Sequence, residues 1–245
     1  MIIVNMNNKQ RKFKRQYVLL FLFLCAMLSS FSQERITDLK ISIETTFNGE
    51  ALKKEQWYVT KTKDSIQLSK LKFYLTDFVI QTENKIKDSI ANSNFLIDAF
   101  DGDTTVIKLT DVNFNEEDKL LISIGVNENL NTSGANSGDL DPSKGMFWSW
   151  QSGYINFKVE GISPSCKTRK NKFQFHIGGF QTPYETIRPL IFKLDTVKNG
   201  ILKINLDVAQ FFDSIQLNSE NQIMIPGQEA SNTADKLPKL FSTHE

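Results

Sequence analysis

Asp38-Leu39-Lys40-Ile41-Ser42-Ile43-Glu44-Thr45-Thr46 alternates in period two, with Leu39, Ile41 and Ile43 on one side and Lys40, Ser42 and Glu44 on the other. Successive side chains of a strand point to opposite faces, so the pattern is that of a β-strand with one buried and one wet face. It recurs over Leu71 to Gln81, Asn94 to Phe100, Thr105 to Thr110, Asp118 to Asn127, Tyr154 to Glu160, Lys172 to Gly178, Pro189 to Asp195 and Ile201 to Val208. Polar or Gly/Asn segments separate these runs, and Val197-Lys198-Asn199-Gly200 carries the Asn-Gly signal of a tight turn. Many short strands with no long amphipathic helix between them predict an all-β fold, an antiparallel β-sandwich with its apolar core between two sheets.

Two segments fall outside the alternation. The first runs from about Asn127 to Ser152, and a loop of that length without evident secondary structure is usually functional or disordered. The second is the tail from about Gly227. There Ala234, Leu237, Leu240 and Phe241 have helical spacing after Ser231 as a cap, and Pro238 limits the helix to a turn or two. The expectation is a single domain with a long aromatic-containing loop and a short C-terminal helical turn.

The N-terminus places Lys9, Arg11, Lys12, Lys14 and Arg15 before an apolar run from Tyr17 to Leu28, and Ser30-Phe31-Ser32 follows. A basic region, an apolar region and a small-x-small triplet make a secretory signal peptide over residues 1–32. The run is too short for a membrane span, which needs roughly 20 apolar residues. Residues 33–245 are then the exported domain, periplasmic or secreted, and not an integral membrane protein. Without the leader, five of the 29 Lys+Arg and none of the 28 Asp+Glu are lost, so the net charge is 24 minus 28, or −4. A mildly acidic chain is a poor binder of nucleic acid phosphates. Cys166 is the one cysteine left, so no internal disulfide can form and stability rests on burial.

Chemistry-bearing residues concentrate in Gly138 to Tyr154, which holds Trp148 and Trp150, and in Phe175-His176-Ile177-Gly178-Gly179. Strand alternation sets Phe173, Phe175 and Ile177 on one face of Lys172 to Gly178, so His176 points away from the core, toward solvent, a metal or a partner. If Phe147 to Trp150 is extended, both indoles share one side. The blander reading makes the tryptophans a plug at the end of the sandwich and His176 a surface residue. Asp139 and Asp141 have a spacing that suits calcium, and equally suits a Pro-containing turn. Met146 is a soft thioether donor or a core gap-filler. Tyr154, read as lying opposite Ile155, Phe157 and Val159, is a redox-active neighbour or a hydrogen-bonded tyrosine. No nucleophile elbow, cysteine pair or Gly-rich phosphate loop is present, so nothing selects an enzyme.

The runs Lys72-Phe73-Tyr74-Leu75-Thr76-Asp77-Phe78, Ile124-Gly125-Val126-Asn127, Gly138 to Tyr154, Phe157-Lys158-Val159-Glu160-Gly161 and Phe175-His176-Ile177-Gly178-Gly179 together resemble the MbnP-like family of periplasmic copper-binding proteins associated with methanobactin gene cassettes. The resemblance implies a β-rich, non-catalytic domain that binds copper through histidine and a tryptophan oxidised to kynurenine. The oxidation would be performed by a partner di-haem protein of the cytochrome c peroxidase type, and a TonB-dependent receptor is a further partner. Carried over by position, Trp148 or Trp150 would be the modified residue and His176 a copper ligand. A second histidine is not evident near the tryptophans, and His244 is the remaining one. The competing reading is a cell-surface interaction module or a carbohydrate-binding β-sandwich, in which Trp148, Trp150 and Tyr154 stack on sugar rings.

Overall fold

The computed structural model describes residues 36–102, 104–149 and 151–243. The leader assigned to residues 1–32, Trp150 and His244 therefore lie outside the described residues. Among the described residues no helix is long and apolar enough to cross a membrane.

The alternating strand that opens the domain, β1 (Ile36–Phe47), buries Leu39, Ile41 and Ile43 as its pattern requires. Around it a five-stranded sheet forms with β2 (Glu50–Ala51), β7 (Thr104–Asn113), β13 (Ile201–Asp207) and β15 (Phe241–Thr243). A larger, ten-stranded sheet is built on β4 (Ser65–Thr82). It contains β3 (Trp57–Val59), β5 (Lys85–Ser89), β6 (Phe95–Asp98), β8 (Lys119–Ile124), β9 (Phe147–Ser149), β10 (Gly153–Ile162), β11 (Lys172–Gly178), β12 (Arg188–Lys193) and β14 (Gln222–Ile223). Its order across the main path is β12-β8-β4-β10-β11-β14. The predicted strands are thus present, with β4 reaching six residues further toward the N-terminus because Ile66 and Leu68 extend its buried face.

The apolar face of each sheet meets the other in one core, to which β1 gives Ile41, β4 gives Phe73, β10 gives Phe157, β11 gives Phe175 and β13 gives Ile204. The β-sandwich expected from the alternation is the fold. Its pairing is antiparallel except at two places: β1 runs parallel to β13, with Ile43 opposite Ile204, and β11 runs parallel to β14. Neither pair is joined by a hairpin, so no turn imposes an antiparallel direction.

The segment from Asn127 to Ser152 is folded rather than structureless. It contains helix α1 (Glu128–Thr132), capped by the Asn127 side chain on the Leu130 N–H, then 3-10 turns at Gly138–Leu140 and Pro142–Lys144, and then β9. It lies on the outer face of the large sheet and buries a second apolar cluster of Tyr74, Val126, Leu140, Met146, Tyr154 and Ile155. Ile155 belongs to this outer cluster and not, as its spacing implied, to the face of Phe157 and Val159. A register shift between Ile155 and Phe157 inserts one residue into β10 and turns Ile155 outward.

The tail also departs from its reading. Helix α2 (Gln228–Ala234) begins at Gly227, and Ser231 sits inside it rather than capping it, donating its hydroxyl to the Glu185 carbonyl. Ala234, Leu237, Leu240 and Phe241 are all buried in the main core, and β15 then joins the small sheet beside β13.

Candidate functional site

On the outer face of the large sheet the alternation of three neighbouring strands lines up polar side chains. Lys72 of β4, Lys158 of β10 and His176 of β11 form one row, and Lys70, Glu160 and Gln174 form the next. His176 points away from the main core, as predicted, yet it is only 6% exposed. Its expected access to solvent is corrected: the folded segment above it covers the ring. Trp148 of β9 supplies that cover, its ring centroid 6.5 Å from that of His176 at an interplanar angle of 37°.

Gly178 makes this approach possible. A Cβ there would come within 2.8 Å of the Trp148 six-membered ring and 2.5 Å of the Tyr154 carbonyl oxygen, so the indole occupies the space that any other side chain would fill. On the other side of β9, Phe147 packs on Tyr154 with centroids 4.9 Å apart.

Glu160 sits diagonally across from His176 and accepts a 2.8 Å hydrogen bond at Oε1 from the imidazole Nε2. That bond, joined by Lys70 at 3.1 Å and Lys158, pulls the Glu160 carboxyl from its ordinary 4.5 to about 2 against the opposing effect of burial. Burial lowers the neighbouring Lys158 ammonium, although Glu160 opposes the shift, and the amine donates to the Gly145 carbonyl at 2.7 Å. Nε2 faces the carboxylate, so in the neutral tautomer that donates there the lone pair lies on Nδ1. Nδ1 is buried and has no hydrogen-bond partner among the described residues. A buried ring nitrogen without a partner is uncommon and calls for an explanation. A carboxylate holding one nitrogen while the other is free to ligate is the arrangement that orients metal-binding histidines.

Other candidates have structural partners. Asp139 accepts the Leu96 N–H on Oδ2 and faces Lys144 at 3.7 Å, while Asp141 caps the turn that follows it through the Ser143 N–H. Met146 is fully buried in the outer cluster, and the Tyr154 hydroxyl donates to the Leu140 carbonyl at 2.8 Å. Thr243, the last described residue before His244, pairs with Ile204 in the small sheet, whereas His176 is on the large one. Among the described residues no group of three or more His, Cys, Asp or Glu side chains converges. Glu160 and Lys158 escaped the sequence reading. Their outward direction follows from alternation, but their place beside His176 depends on the β10–β11 register.

A β-sandwich with a folded aromatic segment over a carboxylate-held histidine defines the class of this protein. The MbnP family profile matches residues 36–225, and the chain belongs to that family. Among solved structures, MbnP from Methylosinus trichosporium superposes with a TM-score of 0.56 at 15% identity, over 74% of this chain and 79% of that one, which establishes the shared fold. No curated protein matches the chain by sequence.

Proposed function

We propose that this protein is an exported, non-catalytic copper-binding protein of the methanobactin-associated kind, which handles or senses copper in the periplasm or outside the cell. The observation that carries the reading is the His176 Nδ1 atom, buried, without a partner among the described residues and beside Trp148. Imidazole nitrogen suits copper, and Cu(II) heads the divalent affinity order, so a site with few protein donors can retain it. His176 would be the first ligand. Trp148 or Trp150 would supply a second after oxidation to kynurenine, which offers an aromatic amine and a carbonyl where indole offers only an N–H donor. His244 is the further imidazole, and the oxidising partner is a di-haem protein of the cytochrome c peroxidase type. A TonB-dependent receptor would be a second partner.

Two measurements test this. Protein purified from its native host should be heavier than the sequence by one oxygen less one carbon per kynurenine, read by intact mass. His176→Ala should lose stoichiometric copper, read by metal analysis after gel filtration, and equal copper in variant and parent would remove His176 from the site. The sparse convergence of metal-binding side chains among the described residues favours a second reading, a cell-surface interaction or carbohydrate-binding module built on the same aromatic cover. It requires an unmodified mass and copper-independent binding.

A further inference from the structure

The connection between β10 and β11 builds a second polar site that the copper reading does not use. Cys166 buries its side chain in the main core, and Asn171 donates to the Cys166 carbonyl at 3.2 Å. The Asn171 carbonyl accepts the Ser163 N–H at 2.9 Å, and the Thr168 hydroxyl donates to the Lys172 carbonyl. The loop is therefore tied at its middle and at both ends. So held, Arg169, Lys170 and Lys172 surround a hollow of about 360 Å³ whose other walls are Thr168, Gln174 and Gln222.

Three cations line this hollow and no carboxylate does. None of the three makes an ion pair among the described residues, and together with the absence of an acid from the lining this leaves their charge locally unbalanced. The parallel β11–β14 pairing sets Gln174 opposite Gln222 at the edge of the hollow. From residue 33 onward the chain carries a net charge of −4, counting 24 basic against 28 acidic residues. Three exposed cations around one hollow in an acidic protein make a local positive field that an anion would meet there.

We propose that this hollow is a binding site for a small ligand bearing a phosphate or sulfate group. Arg169 presents a planar fork that pairs bidentately with such an oxyanion, Lys170 and Lys172 add point charge, and the two carboxamides donate N–H bonds to oxygens at the rim. The volume lies at the lower end of small-molecule sites, which start at roughly 300 Å³. A nucleic acid or membrane surface would meet the acidic remainder of the chain as well, and concavity favours a compact ligand over either.

The test is NMR titration of the full exported chain with inorganic pyrophosphate and, separately, with sodium sulfate and a poly-glutamate peptide. Saturable shifts confined to residues 168–174 and 222 are expected with pyrophosphate, sulfate or both, the tighter of the two naming the ester class. The double variant Arg169→Gln/Lys172→Gln should weaken that binding at least tenfold while leaving the thermal midpoint and copper content unchanged, since both side chains are exposed. Shifts scattered over lysines elsewhere, or equal affinity in the variant, would overturn the site. Tighter binding of poly-glutamate than of either inorganic anion would overturn the small ligand in favour of an acidic protein partner.

Discussion

At the scale of single residues, Glu160 governs the site without needing to touch a metal. Its carboxylate fixes the imidazole orientation and leaves Nδ1 as the free nitrogen. It also links the site to pH. Its neighbours pull the folded carboxyl from an ordinary 4.5 to about 2, so the ionised form is favoured by folding. The stability it contributes is complete above about 4.5 and is lost as pH falls from there toward 2. With about 1.4 kcal/mol per pKa unit, discounted for partners such as the half-exposed Lys70, the loss is on the order of 2 kcal/mol. Urea unfolding across that interval should show a smaller decline for Glu160→Gln than for the parent, and parallel declines would deny Glu160 this role. His176 and Trp148 were legible in the sequence because alternation and residue scarcity both point to them. Glu160 was not, because a diagonal contact depends on strand register, and the irregular loop between β10 and β11 gives no sequence signal for register.

At the scale of elements, the segment from Asn127 to Ser152 converts an exposed sheet face into a covered one. Asn131 of α1 joins it to the sheet with three hydrogen bonds: its Nδ2 donates to the Val126 and Asn127 carbonyls, and its Oδ1 accepts the Tyr154 N–H at 2.8 Å. Asn131→Leu would leave the buried Tyr154 N–H and Val126 carbonyl unpaired. An unsatisfied buried polar group costs about 1–3 kcal/mol, so the variant should lose roughly 2–4 kcal/mol by chemical denaturation. Trp148 emission should shift to the red as β9 loosens over His176. Unchanged stability and emission would show that α1 does not hold the cover. The sequence displayed this segment only as a departure from alternation. Its helix is five residues long and its apolar residues, Leu130, Leu140, Met146 and Phe147, follow neither period, because they pack on a sheet face from short turns. Periodicity reports regular elements, and this cover is assembled from irregular ones.

At the scale of the whole molecule, the two ends of the described chain meet at β13. It pairs in parallel with β1, from the start, and antiparallel with β15, from the end. The sandwich was readable because each strand announces its buried face locally. The parallel pairing was not, because it joins residues such as Ile43 and Ile204 that no short-range signal connects. Nor did composition reveal the tail as core, since Pro238 and the short helical run around it resemble a peripheral turn. Physically the tail packs into the main core and adds β15 to the small sheet. Ala230, Ala234, Leu237, Leu240 and Phe241 are each at most 8% exposed, and the three large side chains alone contribute about 1.5–3 kcal/mol apiece when fully buried. Removing residues after Gly227 therefore forfeits roughly 5–9 kcal/mol before cavity costs, comparable to the whole stability of a typical domain at about 5–15 kcal/mol. It also leaves an edge of β13 unpaired. A chain ending at Gly227 should lack a cooperative thermal transition by circular dichroism and should aggregate, although the family match ends at residue 225. A cooperative transition within a few degrees of the full chain would show instead that the sandwich closes without its tail.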